Sequence, residues 1–182
     1  MMVVFAMDLT LPDEQMKAFI EFLETGKPVF GIRCTLLSFR CDKNSPYARF
    51  DVGNGGYAVE LFGESWKGHY GDHGKESTRG LRAGLNETHP ILRGVHEVWG
   101  PTDVYRITKL PADATVYLYG QVLTGMNPTD PPNLKKSIMP MVWTREIKRE
   151  SGKVSKVVMS TIGAAQDMEN EDLRRLYVNC IY

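Results

Sequence analysis

The spacing of apolar residues predicts that the chain opens with two strands joined by a helix. Val29–Ile32 is apolar throughout, as is typical of a buried parallel strand, and residues 3–7 show the same pattern. Between them, apolar residues recur at helical spacing from Met16 to Leu23, after a helix start at Pro12-Asp13-Glu14. A strand, a helix and a second strand in this order predict a βαβ unit whose two strands run parallel.

Strands dominate the second half of the sequence, and one helix closes it. β-branched and aromatic residues alternate over residues 115–123, which predicts a strand, and residues 77–83 are a further candidate. Residues 138–147 and 156–162 predict two strands that pair antiparallel, because only a short turn separates them. Asn170 marks the start of the final helix, whose apolar residues form one stripe.

Two other stretches show neither the helical spacing nor the alternation of apolar residues described above, so we expect irregular structure there. Residues 124–136 are rich in proline, which removes backbone donors and prevents a regular element. Residues 64–74 place polar and aromatic side chains between glycines. We interpret this second stretch as a loop that lines a pocket.

Composition limits the classes of partner. Among 182 residues, 22 Lys and Arg balance 22 Asp and Glu, so we expect one domain that binds neither nucleic acid nor an anionic membrane. Cys34, Cys41 and Cys180 form no Cys-x-x-Cys pair and predict free thiols. No run approaches the roughly 20 apolar residues that span a bilayer. Asn86-Glu87-Thr88 fits the short glycosylation pattern.

Four segments carry a resemblance to a known family. Pro28-Val29-Phe30-Gly31-Ile32, followed by a residue on a turn, resembles the nucleophile-elbow strand of the class I glutamine amidotransferase fold. The other segments resemble the ThuA-like (trehalose-utilisation) branch of that superfamily. They are His89-Pro90-Ile91-Leu92-Arg93-Gly94, Thr102-Asp103-Val104-Tyr105 and Thr161-Ile162-Gly163, with a late Arg-Arg-Leu helix.

The resemblance runs from about residue 3 to the end of the chain and implies a fold. We expect a flavodoxin-like α/β domain over residues 1–182, with a mostly parallel sheet flanked by helices and an antiparallel C-terminal hairpin. The opening strand and helix of the family, including its central strand, have no counterpart here. The chain therefore resembles an N-terminally truncated ThuA-like domain with a hydrophobic edge at residues 3–7, for which we expect possible self-association.

The amidotransferase triad is incomplete in this sequence. Arg33 stands where those enzymes have a cysteine, and Gly163-Ala164-Ala165-Gln166 follows the late strand without the expected histidine. Cys34 lies one residue further on, which turns its side chain away from the crevice and leaves it without a partner histidine. We therefore expect no glutaminase activity.

Three residues are candidates for catalysis. His69 or His73 is expected to act as the acid or base, because imidazole changes charge near neutral pH, and the choice between them stays open. Asp103 is expected to orient that histidine, although an aspartate there could instead cap a turn. The two histidines with an aspartate could also hold a metal, but the loop setting disfavours it, and we expect no metal and no cofactor.

Substrate contacts are expected from Arg33, Tyr70, Tyr105 and Trp66. Arg33 could hold a carboxylate or sugar oxygens with its guanidinium, or could form an internal salt bridge. Tyr105 shares a face with Asp103 and could donate to a sugar oxygen, or could simply pack. Aromatic rings such as those of Trp66 and Tyr70 can stack on a sugar, but each alone is more often part of the core.

The resemblance implies a protein of carbohydrate utilisation that acts on, or binds, a sugar or keto-disaccharide derivative. A noncatalytic carbohydrate-binding or interaction module fits the incomplete triad equally well, and a metal-dependent hydrolase is a further alternative. Whether the chain is an enzyme stays open. Its compartment stays open too, with the cytoplasm as the default.

Overall fold

A computed structural model describes residues 1–84 and 88–182. The Asn86-Glu87-Thr88 motif therefore lies largely outside the described residues. The chain forms two compact units, each of which combines segments that are distant in sequence. The first unit comprises residues 1–66, 108–114 and 144–159, and the second comprises residues 67–107, 115–143 and 160–182.

Seven strands form one mixed sheet in the order β1-β2-β7-β6-β5-β3-β4. Strand β3 pairs antiparallel with both β4 and β5, whereas β1 and β2 run parallel. The α/β class is confirmed, but the expectation of a mostly parallel sheet is corrected to a mixed one. The strands are β1 (Met2–Val4), β2 (Val29–Ile32), β3 (Thr78–Arg82), β4 (Trp99–Gly100), β5 (Thr115–Val122), β6 (Met139–Lys148) and β7 (Val154–Ser160).

The first unit begins with the predicted βαβ arrangement. Helix α1 (Asp13–Glu24) connects β1 to β2, and Pro12 precedes its first turn, where the missing N–H is not needed. Met16 and Leu23 bury their side chains almost completely, as the helical spacing predicts. The β1 and β2 strands pair in parallel register, with Val3 opposite Phe30.

A sharp turn follows β2 at the predicted place. Ile32 is the last strand residue, and a 3-10 turn, Arg33–Leu37, begins immediately. Arg33 has φ +40°, a left-handed backbone that only glycine adopts without strain. Below the turn, the Thr35 hydroxyl donates to the Val4 carbonyl at 2.7 Å. The strand-to-helix elbow inferred from the sequence is therefore present, with an arginine at its tip.

Helix α2 (Gly56–Phe62) packs its aromatic residues into the core of the first unit. Its Tyr57 is 1% exposed, and burial raises the pKa of this phenol to about 12, although hydrogen bonds with Ser38 and Thr35 act in the opposite direction. The helix ends at Gly63 in a left-handed conformation.

In the second unit, strand β3 pairs with the predicted strand β5 in antiparallel register, with Gly80 opposite Gly120. Helix α3 (Glu171–Ile181) begins at Asn170, whose side chain accepts from the Leu173 amide at 2.8 Å, as the sequence predicts for an N-cap. Residues 149–153, which belong to the first unit, join β6 to β7, and a connection this short allows only an antiparallel pair.

The first strand differs from its prediction. It covers only Met2–Val4, and only Val4 in it is buried. Val3, Phe5 and Met7 are 49%, 56% and 59% exposed, so residues 3–7 are not a buried strand. Val3 lies in the edge strand β1, and Phe5 and Met7 follow it directly, so three apolar side chains are exposed at this end of the chain.

None of the three cysteines forms a disulfide bond in the part of the chain that the structure describes. Burial raises the pKa of Cys180 to about 12, while Cys34 and Cys41 are only partly buried. In the part of the chain that the structure describes, no helix combines the length and the apolar character needed to cross a bilayer.

The exposed apolar side chains of Val3, Phe5 and Met7 predict self-association. The purified chain should sediment with a weight-average mass that rises with concentration, because apolar patches on an edge strand favour pairing between copies. Phe5→Ser should reduce that rise, whereas Leu134→Ser, which removes an apolar side chain that is 89% exposed on a loop, should not. A monomer with a sharp, cooperative thermal transition at all concentrations would contradict this expectation.

Candidate functional site

Two backbone hydrogen bonds in the second unit hold the glycine-flanked loop, residues 68–76, against an extended segment, residues 103–106. His69 and Tyr105 pair there as an isolated antiparallel bridge. The ring of Tyr105, itself buried, packs edge-on against the imidazole of His69 at 5.7 Å between centroids. The two bonds join the Tyr70 amide to the Val104 carbonyl oxygen and the Arg106 amide to the Gly68 carbonyl oxygen, each at 2.9 Å.

One buried carboxylate holds both candidate histidines. Asp103 Oδ2 lies 2.6 Å from His69 Nδ1, and Asp103 Oδ1 lies 2.6 Å from His73 Nδ1. The Asp103 side chain is fully buried, while those of His69 and His73 are 39% and 64% exposed. The imidazole centroids are 4.7 Å apart. The structure therefore brings together the three residues for which the sequence predicts catalysis.

The shared carboxylate sets the protonation pattern of the two rings. An ionised carboxylate only accepts hydrogen bonds, so each Nδ1 carries a proton that it donates to Asp103. In a neutral imidazole this leaves Nε2 as the basic nitrogen. His73 is the more exposed of the two rings, which places its Nε2 where a solute can reach it. The arrangement holds two imidazoles in fixed orientation on a buried carboxylate, which is a geometry that general acid or base chemistry requires.

Gly71 allows the loop to approach Asp103 closely. A Cβ at this position would lie 2.8 Å from the Asp103 Cβ, closer than two carbon atoms can pack without movement. His69 precedes Gly71 in the chain and His73 follows it, and both imidazoles bond the Asp103 carboxylate. The glycine is therefore required by the close approach of the loop, not only by its flexibility.

A second carboxylate, that of Glu76, anchors the same loop. Glu76 Oε2 accepts from the Asp72 amide at 2.7 Å and from Lys136 Nζ at 2.5 Å, and Oε1 accepts from Asn133 Nδ2 at 2.6 Å. Burial acts to raise the pKa of Glu76, but these hydrogen bonds and the Lys136 charge outweigh it and hold the pKa below its ordinary value. The loop that carries His73 is thereby fixed at its C-terminal end.

The four residues predicted to contact substrate do not all belong to the same unit. The Tyr70 hydroxyl accepts from the Ser137 amide at 2.9 Å, and its ring lies 5.2 Å from the Arg106 guanidinium, both within the second unit. Its substrate contact stays a prediction. Trp66 is half-buried and Arg33 is 4% exposed, and both belong to the first unit. Substrate contacts by Arg33 and Trp66 stay predictions.

His89 is held differently from the two histidines on Asp103. Its Nδ1 accepts from the Ile91 amide at 3.2 Å, at the start of a 3-10 turn, Pro90–Leu92. The imidazole of His89 therefore tethers this turn to its own backbone. Because Nδ1 of His89 is an acceptor, its neutral ring carries the proton on Nε2, opposite to His69 and His73.

A groove of about 560 Å³ lies elsewhere in the second unit. Its lining includes none of the predicted site residues. The candidate site lies at Asp103 and not in this groove, because the oriented imidazoles of His69 and His73 converge on Asp103. The groove is lined by Arg79, Gly80, His96, Glu97, Val98, Trp99, Pro128, Thr129 and Asn170.

Sequence reasoning missed Glu76 as part of the site. It lies in the polar stretch just before β3 and carries no motif of its own. Its partners Asn133 and Lys136 are 57 and 60 residues away in the chain, in the Pro-rich segment that predicts only irregular structure. No local signal in the sequence indicates this network.

Comparison with solved structures gives two matches. A protein described as ThuA-like from Bacteroides uniformis is 18% identical with a TM-score of 0.60, over 98% of this chain and 66% of that one. A second such protein, from Parabacteroides merdae, is 13% identical with a TM-score of 0.59, over 98% of this chain and 67% of that one. The chain thus spans about two thirds of the length of each.

A comparison with models of protein families finds no match, and a comparison with curated protein sequences finds none either. At such low identity the two structural matches establish the fold alone. The ThuA-like resemblance inferred from the sequence is confirmed at that level.

The hydrogen bonds of Asp103 predict an imidazole pattern that NMR can read. In long-range proton–nitrogen spectra, His69 and His73 should show a protonated Nδ1, and His89 should show the opposite tautomer as an internal control. Asp103→Asn should abolish the pattern in at least one of the two rings, because an amide offers a single acceptor oxygen. Unchanged spectra in Asp103→Asn would contradict the shared-carboxylate geometry.

The Glu76 network predicts an acid-dependent loss of stability. Glu76→Gln should lower the free energy of unfolding by about 1–3 kcal/mol near pH 7, the range for hydrogen bonds to a charged group. Since the folded pKa of Glu76 lies below its ordinary value of 4.5, this stabilisation is complete above that pH and is lost as the pH falls through the folded pKa. Denaturant titrations of both proteins from pH 7 to pH 3 should therefore converge, whereas the exposed control Glu169→Gln should match the parent throughout.

Proposed function

We propose that this chain, which has the ThuA-like fold, acts on a sugar or keto-disaccharide derivative by general acid or base catalysis. The observation that supports the proposal is the pair of imidazoles oriented by the buried carboxylate of Asp103. The word ThuA-like in the descriptions of the two matched structures supports carbohydrate utilisation as the context. His73 is the acid or base in this proposal, and Asp103 is the residue that orients it.

His73 suits this role for two reasons. Its Nδ1 is fixed on Asp103, while its side chain is 64% exposed, so a substrate can approach Nε2. The buried anion also stabilises the imidazolium that forms when Nε2 takes a proton. His69 shares the same carboxylate and is less exposed, and in the proposal it supplies the second bond that keeps Asp103 in place.

Proton transfer at carbon next to a keto group is the chemistry that fits best. A keto sugar carries acidic hydrogens beside its carbonyl, and a positioned imidazole is a base of suitable strength near neutral pH. The proposal excludes glutaminase activity, since Arg33 occupies the elbow position and no histidine lies at Gly163-Ala164-Ala165-Gln166. Tyr105 contributes by packing on His69.

Turnover of keto-disaccharides by the purified chain tests this function. His73→Gln should lower kcat by about 10²-fold or more, the usual contribution of a general acid or base, while saturable binding is retained. His96→Gln, which alters a histidine outside the Asp103 pair, is the matched control and should leave kcat unchanged.

Two outcomes would overturn the catalytic proposal. Full turnover in both His69→Gln and His73→Gln would remove the histidines from the chemistry. Saturable sugar binding without turnover of any keto-disaccharide would instead identify a noncatalytic carbohydrate-binding module.

A metal-dependent hydrolase is a second candidate, and one observation favours it. Ligand-type atoms of His69, His73 and Asp103 all lie within 4.8 Å of one another. However, the Nδ1–oxygen distances of 2.6 Å are those of hydrogen bonds, and two ligands on one zinc ion would lie about 3 Å apart. A metal would thus bind through Nε2, with Asp103 supporting the rings from behind.

Calorimetric titration with Zn²⁺ and Mn²⁺ separates the two candidates. The acid–base proposal expects no stoichiometric metal binding and activity that survives chelation, because Nε2 must remain available to substrate. Stoichiometric tight binding that His73→Gln abolishes, together with activity lost on chelation, would favour the hydrolase.

A further inference from the structure

The carboxylate of Asp167 lies fully buried in the second unit and accepts four hydrogen bonds. It belongs to a 3-10 turn, Ala165–Glu169, that follows β7. Burying a charge costs several kcal/mol unless partners replace its hydration, and here the partners are complete. The donors are the Gly163 amide (2.8 Å), the Ala164 amide (2.8 Å), the Thr102 amide (3.2 Å) and the Thr102 hydroxyl (2.6 Å).

Two of these four bonds come from Thr102, the residue immediately before Asp103. They connect positions that are 65 residues apart in sequence. The contact extends to Gly100, where a Cβ would lie only 2.3 Å from Asp167 Oδ1. A side chain at position 100 would therefore displace the carboxylate. Asp167 fixes the backbone of the segment that carries Asp103.

The two ends of the histidine cluster are thus fixed by two different carboxylates. Glu76 holds the loop that carries His73, through the Asp72 amide. Asp167 holds the segment that carries Asp103, through Thr102. The hydrogen bonds between Asp103 and the imidazoles require both segments to be in place, since they are only 2.6 Å long.

We propose that Asp167 is a positioning residue that sets the Asp103 carboxylate, and through it the orientation of His69 and His73. The inference deepens the proposed function and rests on it. Loss of the Thr102 bonds allows the Asp103 segment to shift, and a shift of a few tenths of an ångström weakens hydrogen bonds to both rings. Misplacement on that scale at a catalytic group lowers kcat more than it weakens substrate binding.

Thr102→Val tests this with the carboxylate intact. It removes one bond to Asp167 and keeps the size of the side chain. Thr102→Ser, which retains the hydroxyl, is the conservative rescue. Tyr177→Phe is the matched control. The Tyr177 hydroxyl is also buried, and it bonds with the Ser160 hydroxyl and the Ile162 carbonyl oxygen instead of Thr102.

The expected result has an activity readout and a spectroscopic one. Thr102→Val should lower kcat on a keto-disaccharide by about tenfold or more, with KM changed less than twofold. It should also shift the Nδ1 signals of His69 and His73 in long-range proton–nitrogen spectra. Thr102→Ser should behave as the parent does, and Tyr177→Phe should lose stability while keeping both imidazole signals.

The outcomes separate a failure of this inference from a failure of the proposed function. Unchanged imidazole signals in Thr102→Val would overturn the positioning role, whatever the activity. Shifted signals in a chain whose parent turns over no keto-disaccharide would support the positioning role and overturn the function. Asp167→Asn gives the larger expected effect, and Thr102→Val keeps the inference testable if Asp167→Asn does not fold.

Discussion

The hydrogen bonds between one buried carboxylate and two imidazoles are the interaction on which the candidate site depends. Asp103 is fully buried, and an ionised carboxylate in that setting is destabilising unless donors surround it. The rings of His69 and His73 supply those donors. The same bonds that stabilise the anion also orient the imidazoles, so stability and chemistry are coupled at this point. The surrounding loop, with Gly71 packed against Asp103, is arranged to allow that contact.

Local patterns were sufficient to predict most of the elements. The alternation over residues 115–123 corresponds to β5, and the capping residue Asn170 begins α3 as predicted. The elbow after β2 could also be predicted, because an apolar strand that runs into small and polar residues has few ways to continue. These features depend on neighbours in sequence, and propensity and capping act at that range. The juxtaposition of His69, His73 and Asp103 was anticipated as a group, on chemical grounds.

Long-range features could not be predicted in the same way. Alternation identifies a strand but not the direction of its partner, so the antiparallel pairing of β3 with β4 and β5 was missed. The apolar character of Val3, Phe5 and Met7 predicts burial, but their side chains are exposed in the structure. The sequence does not indicate whether another element covers them. Both supporting carboxylates were missed for a related reason. Glu76 and Asp167 also bond residues that are 57 to 65 positions away in the chain, and such long-range bonds leave no local signature.

The backbone at the elbow and the side chain that it presents are separable in this chain. Arg33 holds a left-handed conformation that costs a non-glycine residue about 1–2 kcal/mol. The amidotransferases that this segment resembles present a thiol there, whereas here the same turn presents a guanidinium. The strained geometry persists although the nucleophile is absent. Because the Arg33 side chain is buried, a cysteine installed at this position would show whether the left-handed backbone alone is enough to make a thiol reactive.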